Sequence, residues 1–149
     1  MRARQAGFTL IELLVVVALI AIASSVVSLA MRDPASTRLE REAARLGALL
    51  ESARAEARSS GLAARWEPRA EQADTEGFRF IGLPESTDLP SRWLGEGVSA
   101  EVIGARAVVL GPEPLIGRQR IVLRLDAQRL TLATDGLGPF VVVDGEALP

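Results

Sequence analysis

The first long pattern in the chain is an apolar run that is followed by an amphipathic stretch. Leu13–Met31 contains 19 residues and no charged side chain; as a helix it would be about 28 Å long, enough to cross a hydrocarbon core. Apolar residues then recur at spacings of three and four, the period of a helix with one buried face. These residues are Leu39, Ala43, Leu46, Leu50, Ala53 and Ala57. The sequence therefore predicts a membrane-spanning helix and then an amphipathic helix of about seven turns.

Beyond the amphipathic stretch the apolar period changes to two, which is typical of strands with one buried face. Ile121, Leu123 and Leu125, for example, alternate with Val122 and Arg124. Strands are predicted at 62–66, 78–80, 98–103, 107–110, 121–125, 129–134 and 139–143, and polar loops at 69–76 and 84–97. Gly, Pro and Asp residues separate the strands. The predicted fold class is α+β, with the amphipathic helix packed on an antiparallel sheet.

Local signals predict where the amphipathic helix begins and ends. Pro34 follows the membrane exit and disfavours helical structure at the residue before it. Thr37 and Glu40 have the spacing of a capping box, so we expect the helix to begin near Thr37. Gly61 is placed to end the helix.

The charged side chains of this helix are predicted to lie in solvent. Glu42 precedes Arg45 by three residues, and Glu51 precedes Arg54 by the same spacing. Pairs at this spacing are neighbours on a helix surface. Both pairs lie away from the apolar stripe, so we interpret them as a solvated face.

The two tryptophans are expected to differ in role. Trp66 lies at the inward phase of its predicted strand, which favours a place in the core. Trp93 lies in a predicted loop, where a contact with a partner protein is more plausible than for Trp66.

One carboxylate interrupts the apolar pattern near its start. Glu12 follows Gly7-Phe-Thr-Leu-Ile, behind a short leader that carries Arg2 and Arg4. A charged side chain at the centre of a bilayer costs about 2.5–3.5 kcal/mol on insertion scales, so an intramembrane acid requires a partner or a function. The alternative is that Glu12 lies near the membrane edge and reaches the headgroups without a further role.

The segment Gly7-Phe-Thr-Leu-Ile-Glu12 and the basic leader resemble the N-terminus of the type IV pilin and pseudopilin family. The resemblance implies that a prepilin peptidase cuts between Gly7 and Phe8 and that the new terminus becomes N-methylphenylalanine. It also implies that Glu12 is the assembly carboxylate, which meets a free N-terminal amine during assembly. A secretory signal cleaved after Ala23 is the competing interpretation, because Ala21-Ile-Ala23 offers a small-residue site.

The rest of the chain is most similar to the H-type minor pseudopilin of type II secretion. The similar segments are Leu39–Leu46, Leu49–Ala57, the strand with Trp66, Gly77–Phe80, and Asp135-Gly136 with Pro139-Phe140. The resemblance implies a subunit of protein export near the tip of a pseudopilus. Its implied partners are the other minor pseudopilins, the major pseudopilin and the inner-membrane assembly platform. Leu29 stands where major pilins usually carry a proline, which disfavours a major subunit and leaves a minor one unaffected.

These inferences give an expected organisation in four parts. They are a leader at 1–7, a membrane and assembly helix at 8–31, a periplasmic helix at 32–61 and a β-rich part at 62–149. Charge alone does not orient the chain, because arginines lie on both sides of the predicted span. The family resemblance implies a single-pass inner-membrane protein with a cytoplasmic N-terminus and a periplasmic C-terminal domain.

Composition disfavours an enzyme. The chain has no cysteine and no histidine, which excludes disulfides, thiol nucleophiles and the commonest acid/base catalyst and transition-metal ligand. No nucleophile or metal motif is recognisable. We expect a structural subunit without a metal or a cofactor.

Charge disfavours nucleic-acid binding. All 17 basic residues are arginine, they are dispersed among acids, and the net charge is −2. Loss of Arg2 and Arg4 with the leader would make it −4. The alternative function is a minor pilin of a type IV pilus, in assembly or DNA uptake. DNA uptake would favour a basic surface or tail, whereas the chain ends Asp144-Gly-Glu-Ala-Leu-Pro149.

Overall fold

The structure, a computed structural model, describes residues 9–30, 34–69 and 77–143. The chain divides into two compact units, Met1–Asp33 and Pro34–Pro149. The first unit contains a described helix, and the second contains a helix followed by seven described strands. The predicted α+β class is confirmed.

Helix α1 spans Leu10–Ala30 and is built from the apolar run. Its described side chains, those of residues 10–23, are all exposed. In the part of the chain that the structure describes, no helix combines the length and the hydrophobicity that crossing a membrane requires. The predicted leader at 1–7 lies outside the described residues.

Helix α2 spans Pro34–Ser60. Because it begins at Pro34, the predicted capping box at Thr37 and Glu40 is wrong. Proline is favoured in the first helical turn, where its missing N–H costs no hydrogen bond. At the other end, Gly61 has a φ of 68°, the left-handed conformation that glycine adopts most readily at a helix end. The predicted end of the helix is confirmed.

Two antiparallel sheets follow α2. The strands are β1 Ala64–Pro68, β2 Phe78–Ile81, β3 Ser99–Val102, β4 Val108–Gly111, β5 Gln119–Leu125, β6 Gln128–Thr134 and β7 Val141–Val143. The three-stranded sheet has the order β2-β1-β4, and the four-stranded sheet has the order β3-β5-β6-β7. Every predicted strand is found, with its ends displaced by at most two residues.

Helix α2 packs against both sheets, on β1 and β4 of one and on β5, β6 and β7 of the other. All six residues of the predicted apolar stripe are buried. Trp66 is fully buried, and its ring centroid lies 5.8 Å from that of Phe78, which confirms its predicted place in the core. All described core residues lie between Ala35 and Phe140, so the Pro34–Pro149 unit supplies its own core.

Candidate functional site

Thr9 caps the first turn of α1. The backbone N–H of Glu12 donates to Thr9 Oγ1 at 3.4 Å and to the Thr9 carbonyl oxygen at 3.1 Å. Thr9 and Glu12 thus have the spacing of a capping box, which satisfies amides that the start of a helix leaves unpaired. An acid in the first turn also interacts favourably with the helix dipole. This local role was not predicted, although the Thr-x-x-Glu spacing indicates it.

Glu12 lies in an exposed apolar surface. The side chains of Leu10, Ile11 and Leu13 around it are 79%, 71% and 62% exposed. If this surface enters a membrane or packs on another helix, the carboxylate loses its water and needs a cation as partner. Gly7 and Phe8, the predicted cleavage and methylation residues, lie outside the described residues.

Glu42 is a buried acid that fixes a loop to α2. Its Oε1 accepts hydrogen bonds from the backbone N–H groups of Leu94 and Gly95, the second at 3.1 Å. Its Oε2 lies 3.6 Å from Arg45 Nη1, and that nitrogen donates to the carbonyl oxygen of Arg92 at 3.0 Å. The two side chains hold the loop at 92–95 against the N-terminal half of α2.

Arg54 plays the corresponding role in the C-terminal half of α2. Its Nη1 donates to the carbonyl oxygen of Gly138 at 2.9 Å. Its Nη2 donates to the carbonyl oxygens of Gly136 at 2.8 Å and Pro114 at 3.2 Å. The guanidinium presents several N–H donors in a fixed fork, so one side chain joins two loops to the helix.

The turn after β6 is shaped by its own side chains. Thr134 Oγ1 donates to the carbonyl oxygen of Gly138 at 2.8 Å and accepts from the N–H of Gly136 at 3.0 Å. Asp135 Oδ1 accepts from the N–H groups of Gly138 at 2.8 Å and Leu137 at 2.9 Å. These hydrogen bonds, first that from Gly138, hold the pKa of Asp135 below its ordinary value. The turn thereby directs two carbonyl groups at Arg54.

The prediction of a solvated charged face on α2 is wrong for two residues. Glu42 is 3% exposed and Arg54 is 2% exposed. The loops at 92–95 and 136–138 cover the flanks of the helix beyond its apolar stripe. Apolar periodicity did not indicate this coverage, because the loops supply polar backbone groups to charged side chains.

Trp93 contributes to the core of the domain. Its ring centroid lies 4.7 Å from that of Phe78, in an edge-to-face arrangement, and the side chain is half-buried. Aromatic pairs in this geometry are stabilising beyond their buried area. In the same loop, Leu94 is 69% exposed, so Leu94 presents the larger free apolar surface.

The buried charged side chains of α2 have a structural role among the described residues. No three metal-ligating His, Cys, Asp or Glu side chains come together in the described ranges. Glu42 and Arg54, the buried charged side chains of α2, are engaged with backbone groups. Such groups fix the positions of the loops on the helix.

The N-terminal segment matches a sequence family. Residues 2–28 match the prokaryotic N-terminal methylation motif. No curated protein matches the chain significantly.

The fold is similar to that of the type IV minor pilin FimU from Pseudomonas aeruginosa strain PAO1. Its crystal structure in space group P21 has a TM-score of 0.56 and 14% sequence identity, and the match covers 76% of this chain and 94% of FimU. The structure in space group P65 has a TM-score of 0.53 and 16% identity over 74% of this chain and 97% of FimU. At this identity the similarity establishes the fold, and the predicted pilin-like architecture is confirmed.

Proposed function

We propose that this chain, a minor subunit of the type IV pilin and pseudopilin family, serves near the tip of a type II secretion pseudopilus. There it takes part in protein export across the outer membrane and catalyses no reaction. The observation that carries the pilin-type part of the proposal is the N-terminal methylation motif at residues 2–28, and the assignment to type II secretion rests on the resemblance of the rest of the chain to the H-type pseudopilin. This motif implies a membrane-anchored subunit that is processed by a prepilin peptidase and assembled with other pilin-type subunits.

Processing is proposed between Gly7 and Phe8. Removal of the leader at 1–7 creates an ammonium on Phe8, and methylation leaves that ammonium charged. The positive group then lies one helical turn before Glu12 in the sequence. The intact mass of the protein extracted from membranes tests this step, and a mature N-terminus at Ser24 would instead indicate a secretory signal.

Glu12 is proposed as the assembly carboxylate. A neighbouring subunit displaced along the fibre axis presents its own Phe8 ammonium to this carboxylate. Two charges that are costly in an apolar environment then form one contact, which the low dielectric strengthens. The exposed apolar side chains around Glu12 provide that environment once they pack on lipid or on another helix.

The same motif supports membrane anchoring, and the location and orientation are part of the proposal. We propose that residues 8–31 anchor the chain in the inner membrane, with the N-terminus in the cytoplasm and the Pro34–Pro149 unit in the periplasm. The partners in this location are the prepilin peptidase, the other minor pseudopilins, the major pseudopilin and the assembly platform.

The proposal of an H-type subunit rests on the sequence resemblance alone, and the residues that carry this resemblance have structural roles in the fold. Trp66 and Phe78 form the aromatic centre of the core, Arg54 joins α2 to the late turn, and Phe140 closes the core. The resembling segments are therefore mainly those that fix the helix on the sheets.

A minor pilin of a type IV pilus is the second candidate. The similarity to FimU, a type IV minor pilin, favours it. Both candidates share the motif, the fold and the roles of Gly7, Phe8 and Glu12, so the two differ in the machine that takes up the subunit.

Deletion of the gene in its host distinguishes the two candidates. We expect secreted proteins to accumulate in the periplasm while surface pili and DNA uptake remain normal. Loss of pili or of DNA uptake with normal secretion would instead assign the chain to a type IV pilus. Complementation with the wild-type gene, and with the Glu12→Leu variant, ties the phenotype to this chain and to its assembly carboxylate.

A further inference from the structure

The four-stranded sheet has one face that α2 leaves uncovered. Along β5, Ile121, Leu123 and Leu125 are buried, and alternation turns the intervening side chains to the opposite side. Through the strand register this opposite side, here called the outer face, can be assigned on every strand. The outer face consists of Ser99, Glu101, Arg120, Val122, Arg124, Arg129, Thr131, Ala133, Val141 and Val143. With the exception of Ala133, these residues are exposed or half-buried.

Arginines are concentrated on the outer face. Arg124 stands directly opposite Arg129 on the neighbouring strand, and like charges in this position destabilise a sheet. Arg124 Nη2 lies 3.0 Å from Glu101 Oε2. The guanidinium groups of Arg120 and Arg129 make no hydrogen bond or ion pair with the described residues. With three arginines and one acid, the outer face is thus locally positive in a chain whose net charge is −2.

A cavity adjoins the outer face at Ala133, which pairs with Arg120 in the sheet. It has a volume of about 180 Å³, and its lining consists of the apolar Ala133, Pro139, Val141 and Val143 together with Gly138, Arg118, Thr134 and Asp135. For comparison, an apolar cavity of about 150 Å³ accommodates benzene. The cavity therefore has room for one branched aliphatic or aromatic side chain beside a guanidinium group.

We propose that the outer face binds another protein chain through an acidic surface with one apolar side chain at its centre. The carboxylates of the partner pair with Arg120 and Arg129, and its apolar side chain enters the cavity. The inference rests on the proposed function in one respect, since it takes the partner to be another pilin-type subunit.

The chemistry of the face favours a protein over a nucleic acid. Phosphates would pair with the arginines, but a duplex has no group that fills an apolar cavity. Single strands bind on aromatic platforms, and no aromatic side chain lies among the residues of the outer face. An apolar anchor surrounded by charged contacts is instead typical of protein interfaces.

Binding by the full-length protein in detergent tests the proposal. The probes are the purified globular domains of the other pilin-type subunits of the same organism, added one at a time, and a short DNA duplex. We expect at least one subunit to bind, with an affinity that decreases as salt is added. The double variant Arg120→Glu/Arg129→Glu should weaken this binding by about tenfold or more.

Two further variants separate charge from packing. Val141→Ser removes an apolar wall of the cavity from a half-exposed position, and we expect it to weaken binding without changing the salt dependence. Arg41→Glu/Arg58→Glu on α2 changes the net charge equally at exposed positions and should leave the affinity within about twofold. Circular dichroism confirms that each variant is folded.

Three results would overturn the inference. They are an unchanged affinity in the Arg120→Glu/Arg129→Glu variant, the absence of binding to every subunit, and binding to the duplex alone that the charge reversal removes. The gene-deletion experiment tests the proposed function separately. If deletion causes a secretion defect and any of these three results is obtained, the proposed function stands and the outer face is rejected as the binding surface.

Discussion

The Nη2 atom of Arg54 lies 2.8 Å from the carbonyl oxygen of Gly136, a residue 82 positions later in the chain. The same nitrogen reaches Pro114, and Nη1 reaches Gly138. One helical side chain therefore organises two loops that are distant in the sequence.

Arg54→Ala should lower the free energy of unfolding by about 3–5 kcal/mol, because three carbonyl groups lose a charged donor in a buried place. Urea unfolding of a fragment with residues 34–149, which contains all the described core residues, measures the change. Arg58→Ala at an exposed position of the same helix is the control and should remain within about 0.5 kcal/mol of wild type. Equal losses in the two variants would contradict the role of Arg54.

Gly136→Ala should destabilise the fragment by about 3 kcal/mol or more. Gly136 has a φ of +96°, and an added Cβ would lie 1.7 Å from the carbonyl oxygen of Ile116. Gly117→Ala is a matched control in the neighbouring segment, because an added Cβ there meets nothing within 4 Å. Thermal unfolding of the two variants is compared with wild type, and a similar melting temperature for both would contradict the close approach at Gly136.

Glu42→Ala should cost about 3 kcal/mol, because the N–H groups of Leu94 and Gly95 lose their acceptor. The local readout is hydrogen exchange, in which these two amides should exchange faster than in wild type. Glu40→Ala, at an exposed position of α2, should leave their exchange unchanged. Unaltered protection of Leu94 and Gly95 in Glu42→Ala would show that the loop is held by other contacts.

The turn at Asp135 should become less stable in acid. Because its pKa is lowered in the fold, ionised Asp135 contributes stability above its unfolded pKa, and that contribution is lost as the pH falls through the folded pKa. Asp135→Asn should therefore be less stable than wild type at neutral pH, and the difference should shrink as the pH falls below the ordinary pKa of an aspartate, about 3.9. Urea unfolding across this range measures it, and a difference that does not depend on pH would contradict the prediction.

Glu12→Leu should leave membrane insertion intact and impair assembly, because it removes a charge that is costly in the membrane but proposed to pair with the Phe8 ammonium. Recovery of partner subunits with the tagged protein from membranes measures assembly, and fractionation measures insertion. Thr9→Ala is the control, because it removes the capping hydroxyl and retains the carboxylate. Equal recovery with wild type and Glu12→Leu would show that the carboxylate only caps α1 or reaches the headgroups.

Much of the fold could be predicted from the sequence, because a helix or strand with one buried face has apolar residues at regular spacings along the chain. The stripe from Leu39 to Ala57 marked the face of α2 that packs on the sheets, and the period-two segments marked the strands. Gly61 marked the helix end because glycine adopts the left-handed conformation there. These features depend on neighbours within a few residues, which a single sequence shows directly.

The buried charges could not be predicted in this way. Arg54 and Glu42 have ordinary i,i+3 partners, and the groups that bury them lie in loops that are distant in the sequence. The outer face was also missed, because its arginines are dispersed along the chain and only the register of β5 and β6 brings Arg124 beside Arg129. The net charge is summed over the whole chain and does not show where the charges lie. Composition therefore indicated a chain without a basic surface.

The contacts between α2 and the turn at 136–138 also set an order of events during biosynthesis. Helix α2 emerges from the ribosome well before the carbonyl groups that Arg54 binds and before Phe140, which completes the core. Until residues 136–140 have been made, the guanidinium lacks two of its three carbonyl partners and the core lacks Phe140, so the domain cannot complete its packing before then. Cooperative folding of the Pro34–Pro149 unit therefore waits for nearly the whole of that unit to be synthesised, and the nascent α2 remains available to chaperones until then.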